Sequence, residues 1–575
     1  MPDYTREQPK EVSLPPRLPL IGLVNQRAGS PDVDSRLVNG YVEIGEDGQV
    51  RVVKRPGFGV ALNIGAAWAG LGSFKSDSTG NLTIWEVPIE GGVAHRLYTE
   101  GLLVGTLATV AAGSSTRTYY FEEVSTGAET TTIVINSLYA VHTYNTTDGL
   151  ALLHFRDTTY PAITCATTLG SPVVTTASTA TLTEYTVVTG AGIPADTQID
   201  SIDSATQFTM SQAATATSGA VALDFSLGGP PSRADVFTPP TTSGGLTYRT
   251  LAGGVADLNK SAYLLTYRAE IAGSDIDEPR SWNPLNSIYA YAEQDYAMCI
   301  AKQMSYIIAF KSTTTEFFRD AGNSPGSPLE RVEGLRLDIG CYAGPTVQFV
   351  DGLVIWASVT ALGKRSVWAL VQARPTEIAT PAVARVLETY LPYRAFSLAV
   401  SGHTFYVLNV QRADGDRVSL VYDVTSKFWS YWSALGETYF PFVSASLSFF
   451  GPRLQHESDG KVYLMELGLA TDAGASFDMD IFPPEFDANV RLTKYLSKMY
   501  VVADQEEGSI LRLRINDDNQ HPDRWSSWRE FDLSEQRPRL DECGSFYKRA
   551  FHFRHSSATP CRLVAVELDL LPGTL

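Results

Sequence analysis

Acidic clusters are the first residues of this chain whose types and spacing could do chemistry. Asp275-Ile276-Asp277-Glu278 sets carboxylates at the separation that opens a calcium-binding loop. The glycine and the closing glutamate of such a loop are missing, so the segment reads as a solvated turn. Asp517-Asp518-Asn519-Gln520-His521-Pro522-Asp523 could wrap a cation, but it lies between the alternating run Leu511-Arg512-Leu513-Arg514-Ile515 and Trp525. A polar hairpin tip at that place needs no metal. Eight histidines are scattered, and only His552 and His555 are close together, in or beside a strand where packing is the default role. No GxSxG, HExxH or Walker sequence occurs. A glycosidase on a β-propeller would need paired carboxylates, and pairing between sheets is not visible in a sequence. No catalytic, cofactor-binding or metal-ligating residue is assigned, and neither a cofactor nor an enzymatic activity is expected.

The thiols and aromatics suggest structure. Cys165, Cys299, Cys341, Cys543 and Cys561 are widely spaced with no CxxC, which argues against a zinc site or a disulfide framework and fits a reducing cytoplasm. Trp429 and Trp432, and Trp525 and Trp528, sit three apart around strand ends. They suit packing within a sheet or anchoring between subunits, the first being the default. Tyr439-Phe440-Pro441-Phe442 and Phe449-Phe450-Gly451-Pro452 pose the same choice between buried corners and loops that grip a partner ring.

The elements that must position these groups are strands. The chain has 575 residues, 44% hydrophobic and only 19% charged, with 46 glycines and 31 prolines replacing charge by turn-formers. It is long enough for several domains and a large core. No run of about 18 apolar residues predicts a membrane helix, and the Met1-Pro2-Asp3-Tyr4 start lacks the pattern of a signal peptide. The net charge of −18 lacks the basic surplus of a protein that grips nucleic acid.

Tyr41-Val42-Glu43-Ile44 and Val50-Arg51-Val52-Val53 flank Glu46-Asp47-Gly48 as a predicted hairpin. Further Asp-Gly turns fall at Asp148, Asp351, Asp414 and Asp459. The best helix is short, from Pro381 to Tyr390, so the fold class is all-β. Similar strand openings after Gly352, Gly402 and Gly460 recur at the period of β-propeller blades. The expected division is an extended, proline-rich arm over 1–35, a first part of a propeller over 36–110, and the rest of the propeller with closing C-terminal strands over 228–575. Between them, residues 111–227 are rich in Ser, Thr, Ala and Val with almost no Lys or Arg, and predict an inserted small β-sandwich. This insertion resembles a small β module of bacteriophage tail proteins.

Four blocks together resemble the packaged-DNA stabilisation, or tail hub (nozzle), proteins of short-tailed bacteriophages. The first is Asn39-Gly40-Tyr41-Val42-Glu43 followed by Arg55-Pro56-Gly57. The second is Ser281-Trp282-Asn283-Pro284-Leu285 with Ala290-Tyr291-Ala292-Glu293. The third is Glu316-Phe317-Phe318-Arg319-Asp320 before Gly340-Cys341-Tyr342-Ala343-Gly344-Pro345, with phenylalanine where the family more often has tryptophan. The fourth is Trp525-Ser526-Ser527-Trp528-Arg529 with Arg549-Ala550-Phe551-His552-Phe553-Arg554. The resemblance implies a propeller, six-bladed by expectation, and a homo-hexameric ring in the virion tail, made in the host cytoplasm. It implies as partners the adaptor of the portal complex, tail fibres or spikes, a needle or plug protein, and double-stranded DNA that passes without sequence-specific binding or membrane insertion. With this net charge, an acidic lumen that repels phosphate is expected. The alternatives weighed are a receptor-binding tail fibre or baseplate protein and a propeller glycoside hydrolase.

Overall fold

The computed structural model describes residues 16–21, 35–45, 48–63 and, with gaps, 67–227 and 251–573. The gaps are 76–81, 91–93, 100–101, 110–118, 126–129, 137–140, 146–148, 154–158, 180–181, 183–185, 195–196, 281, 283–285, 325, 447–450, 489–491 and 519. Nearly all regular structure among the described residues is β-strand, as the turn-rich composition predicts. The one α-helix described, Pro381–Thr389, matches the short helix expected. Thr380 caps it by accepting from the Val383 backbone N–H, and Val383, Val386 and Leu387 face inward. No described helix is long and apolar enough to cross a membrane.

Seven antiparallel units of four or five strands follow one another in space; the first four are separate four-stranded sheets, the fifth has five strands, and the last two are parts of larger sheets. Sheet 1 spans 67–109, sheet 2 spans 119–153, sheet 3 spans 256–289 and sheet 4 spans 297–331. Sheet 5 spans 340–377, with both Gly340–Cys341 and Gln348–Val350 paired to Leu353–Val359. Sheet 6 holds Leu391–Val400, His403–Gln411, Arg417–Asp423 and Phe428–Trp432. Sheet 7 takes three strands from 442–465, and its fourth, Phe58–Asn63, comes from the other end of the chain. Successive sheets touch along their first strands, except that sheet 4 meets sheet 5 through Ala297–Gln303 against Leu353–Val359 and Tyr306–Lys311 against Gly340–Cys341; sheet 7 touches sheet 1, so the series closes on itself.

The closed series has seven members, so the six-bladed expectation is corrected. The strand openings after Gly352 and Gly402 begin the second strands of sheets 5 and 6, but the one after Gly460 begins the third strand of sheet 7. The second strands of sheets 4 to 7 start at Tyr306, Leu353, His403 and Arg453, about 50 residues apart. The Ser/Thr-rich span contains two separate sheets. One is sheet 2; the other is a six-stranded sheet over 159–227 with its own core of Val174, Val188, Phe208, Leu223 and Phe225.

Two further sheets pack face to face at the chain's ends. Sheet 6 continues through Arg36–Val38, Met479–Phe482, Ala550–His555, Ile510–Asn516 and Arg529–Asp532. Opposite lie Gly40–Ile44, Val50–Lys54, Arg562–Pro572, Lys494–Ala503 and Arg539–Asp541. Leu37, Val52, Met499, Phe551, Phe553 and Val566 fill the space between. The expected hairpin is present, with Tyr41 opposite Val53 and Ile44 opposite Val50. The described end of the arm lies on its own chain: Leu18 N donates to Val566 O, and Leu18 and Leu20 enter this core.

The Arg-Pro-Gly turn joins the sandwich to sheet 7. Arg55 is fully buried, donates to both Asp472 carboxylate oxygens at 2.9 and 2.6 Å, and also reaches Asn39 Oδ1 and the carbonyls of Pro56 and Ser433. Its guanidinium lies 3.9 Å from the Phe477 ring centroid. A Cβ on Gly57 would stand 2.0 Å from Thr471 O, so no other residue fits there. Removing one member of a buried pair strands the other charge, at about 3–5 kcal/mol. Arg55→Ala is therefore expected to lose about that much stability in calorimetric or denaturant unfolding; a loss under about 1 kcal/mol would show the anchor is dispensable.

Candidate functional site

A cavity of about 430 Å³ opens among the first strands of sheets 2 to 5. Strand alternation selects what faces it. Tyr120 and Glu122 lie two apart on Tyr119–Ser125, and Ile300 and Lys302 lie two apart on Ala297–Gln303. Asp257 comes from Ala256–Leu258 and Phe349 from Gln348–Val350. Met304 and Phe349, 63% and 61% exposed, place apolar surface beside this polar group.

Three ionisable groups from three different sheets meet in the cavity. Lys302 Nζ donates to Asp257 at 2.8 and 2.9 Å. Glu122 hydrogen-bonds the same carboxylate. Burial, then the Asp257 charge and that hydrogen bond, push the Glu122 carboxyl well above the usual carboxylate range, while Lys302 opposes the rise. Glu122 therefore holds its proton more tightly than an ordinary carboxyl does, with Asp257 as its hydrogen-bond partner. Two carboxyls in direct hydrogen-bond contact leave no room between them for a glycosidic oxygen. The Lys302 ammonium is committed to Asp257, so it is not a free phosphate receptor. What the triad does physically is tie sheets 2, 3 and 4 together, where 102 residues of chain separate Leu153 from Ala256 in sequence.

A second cluster lies on the sandwich. His552 is fully buried in Ala550–His555, with Nε2 on Asp480 Oδ1 at 2.7 Å and Nδ1 accepting from Arg514 Nε at 2.8 Å. Both ring nitrogens are used, with the proton on Nε2, so the imidazole has no site left for general-base work. Burial lowers its basicity, with Asp480 opposing. Burial alone would raise the Asp480 carboxyl, but hydrogen bonds from His552 and Arg554 hold it below the usual range. Trp525 and Trp528 stand on either hand of Arg514, each 4.8 Å from its guanidinium carbon.

The other motifs singled out in the sequence are structural. Asp275 and Glu278 bridge across one turn, and Asp277 pairs with Lys260 at 2.7 Å. Asp517 binds buried Arg549 at 2.7 and 2.8 Å. Among the described residues no three His, Cys, Asp or Glu side chains group to hold a metal. All five cysteines are buried and unbridged, and burial pushes the Cys341 and Cys561 thiols up to about 12. Trp429 and Trp432 donate within the chain, to Ile378 O and Gly40 O. Phe440 and Phe442 are fully buried; Phe449 and Phe450 lie outside the described residues. His555, which burial lowers to about 3, contacts Ser509 Oγ at 2.9 Å. The sequence reading missed Glu122, Asp257 and Lys302, because nothing in it marks which strands become neighbours across the detour.

Residues 252–439 match the family model described as the phage stabilisation family, Bacteriophage P22 Gp10, β-propeller. In space that stretch covers sheets 3 to 6. No curated protein matches the chain. Among solved structures, one titled "Crystal Structure of Mitotic Checkpoint Complex" shows 10% identity, covers 59% of this chain and 86% of that one, and has a TM-score of 0.24. Another, titled "Glycoside hydrolase", shows 8% identity, 88% and 100% coverage, and a TM-score of 0.22. Scores that low support no assignment of activity.

The Glu122 proton predicts a pH dependence. Its native affinity for the proton exceeds that of an unfolded carboxyl. Between those two values the native state holds a proton that the unfolded state has lost, so this group's contribution falls as pH rises through that window. Glu122→Gln keeps a donor toward Asp257 without needing the proton. The variant is expected to match the parent in melting temperature near pH 4 and to exceed it at pH 7–8. Equal destabilisation at every pH would overturn the shared-proton reading.

Proposed function

We propose that this chain is a structural subunit of a short-tailed bacteriophage tail, the hub or nozzle ring below the portal and adaptor. The observation that carries this reading is the family match over 252–439, which coincides with four consecutive sheets of the closed series. On this reading the seven sheets form a seven-bladed propeller over 58–153 and 251–465, closed by Phe58–Asn63. Residues 159–227 are an outward insertion, and 36–54 with 479–573 form a sandwich beside the ring. Six copies assemble on the adaptor, retain the packaged genome, pass it at ejection, and receive fibres or spikes and a needle or plug.

Successive sheets of the series touch at their inner edges. Seven of them enclose a bore on the order of 18 Å between backbones before side chains fill it, too narrow for duplex DNA. The ejection channel of this proposal therefore runs between copies, not through a propeller axis. With a net charge of −18 per copy, the wall of that channel is expected to be acidic and to hold DNA weakly.

Mass photometry of the purified chain, alone and with a candidate portal–adaptor complex, tests the reading. Six copies, formed alone or only on the adaptor, are expected. A variant lacking 159–227 is expected to assemble equally well and to lose fibre attachment. A trimer, or a monomer that ignores the adaptor, would favour the fibre or hydrolase alternative.

A further inference from the structure

Many cations of this acidic chain pair with carboxylates, and Arg514 is among those that do not. Among the described residues it forms no salt bridge, and its only hydrogen bond is the one from Nε to His552 Nδ1 at 2.8 Å. Its neighbours fix its position. Trp525 and Trp528 hold the guanidinium at 4.8 Å each, and His552 is itself held by Asp480 and stacked on Phe482 at 3.9 Å. The half-buried side chain thus has its plane and its Nε settled, while both Nη groups lack a protein acceptor. Burial and then the nearby Arg554 charge work against this cation, while the Asp480 charge favours it.

We propose that Arg514 is a docking point for an acidic side chain, aspartate or glutamate, of another protein chain. A guanidinium with two unsatisfied Nη groups presents the fork that matches one carboxylate in bidentate fashion. Because the tryptophans and His552 hold it already, little side-chain freedom is lost on binding. Half-buried Trp525 and Trp528 flank the fork and offer the aromatic surface that interface anchors use. A carboxylate fits better than a nucleic-acid phosphate. Duplex binding recruits several cations along the backbone. Here Arg554 is already paired with Asp480 and Asp478, so it does not extend a run of phosphate contacts beside Arg514. An incoming carboxylate also offsets the repulsion between Arg514 and Arg554.

The test uses the full chain and hexaglutamate as probe, followed by tryptophan fluorescence and calorimetry, with hexalysine and a short DNA duplex as comparisons. Hexaglutamate is expected to shift the emission, and Arg514→Gln to weaken its binding at least about tenfold. Arg514→Lys is expected to fall between the two, since an ammonium keeps the charge but not the fork. It also serves if the glutamine variant fails to fold. Binding that is the same in parent and variants overturns the proposal. So does Arg514-dependent binding of the duplex that displaces hexaglutamate, which would make the fork a phosphate receptor.

Discussion

Closure of the seven-sheet series depends on one short strand. Phe58–Asn63 comes from near the start of the sequence and pairs with Lys461–Met465, so the contact closes a loop of some four hundred residues. Closing a flexible loop of that length costs roughly 5 kcal/mol or more in chain entropy. A handful of strand hydrogen bonds at about 1 kcal/mol each only matches that. The anchor beside it supplies the rest: Arg55 buried on Asp472, and Phe58 edge-on to Phe440, Phe442 and Tyr463. The Arg-Pro-Gly turn is therefore a latch. Its glycine lies against the Thr471 backbone, and its arginine gathers groups from 39, 56, 433 and 472 into one buried network.

The same logic explains where the other buried charges sit. Sheets 2 and 3 are neighbours in space but far apart in sequence, and Glu122, Asp257 and Lys302 cross that gap as one hydrogen-bonded triad. Within sheet 4, Lys311 is fully buried between Glu316 and Asp295 at 2.8 and 2.6 Å, and donates to the carbonyls of Ala290 and Glu293 that lead in from sheet 3. Gly340 allows sheet 5 to approach the Ser312 carbonyl of sheet 4, where a Cβ would stand at 2.2 Å. Apolar faces hold each sheet to the next, and paired charges specify which edge meets which.

This use of charge bears on assembly. Copies carrying −18 each repel one another at low salt, so any stable ring needs specific contacts that outweigh the repulsion. The aromatic and guanidinium cluster of Trp525, Trp528, Arg514 and Arg554 is the part of the sandwich best suited to supply one, and the cavity triad, whose groups are committed to one another, is not.

The sequence by itself determined the strand class, the hairpin before Arg55, the short helix at 381 and the Asp-Gly turns at 351, 414 and 459, because each depends on local φ/ψ preference and side-chain alternation; Asp47 and Asp148 lie outside the described residues. It also carried the likeness of 252–439 to a phage propeller family, since blade strands there follow one another without interruption. The number of sheets was not legible: the seventh borrows its last strand from Phe58–Asn63, and sheet 2 shares the Ser/Thr-rich composition of the sheet over 159–227 that follows it. The candidate site was not legible either. Glu122 lies in a Ser/Thr-rich stretch, and Asp257 and Lys302 lie in ordinary strands. Only the tertiary structure, by placing three first strands side by side, turned them into one proton-sharing group. That is a long-range consequence of ring closure, and no local pattern encodes it.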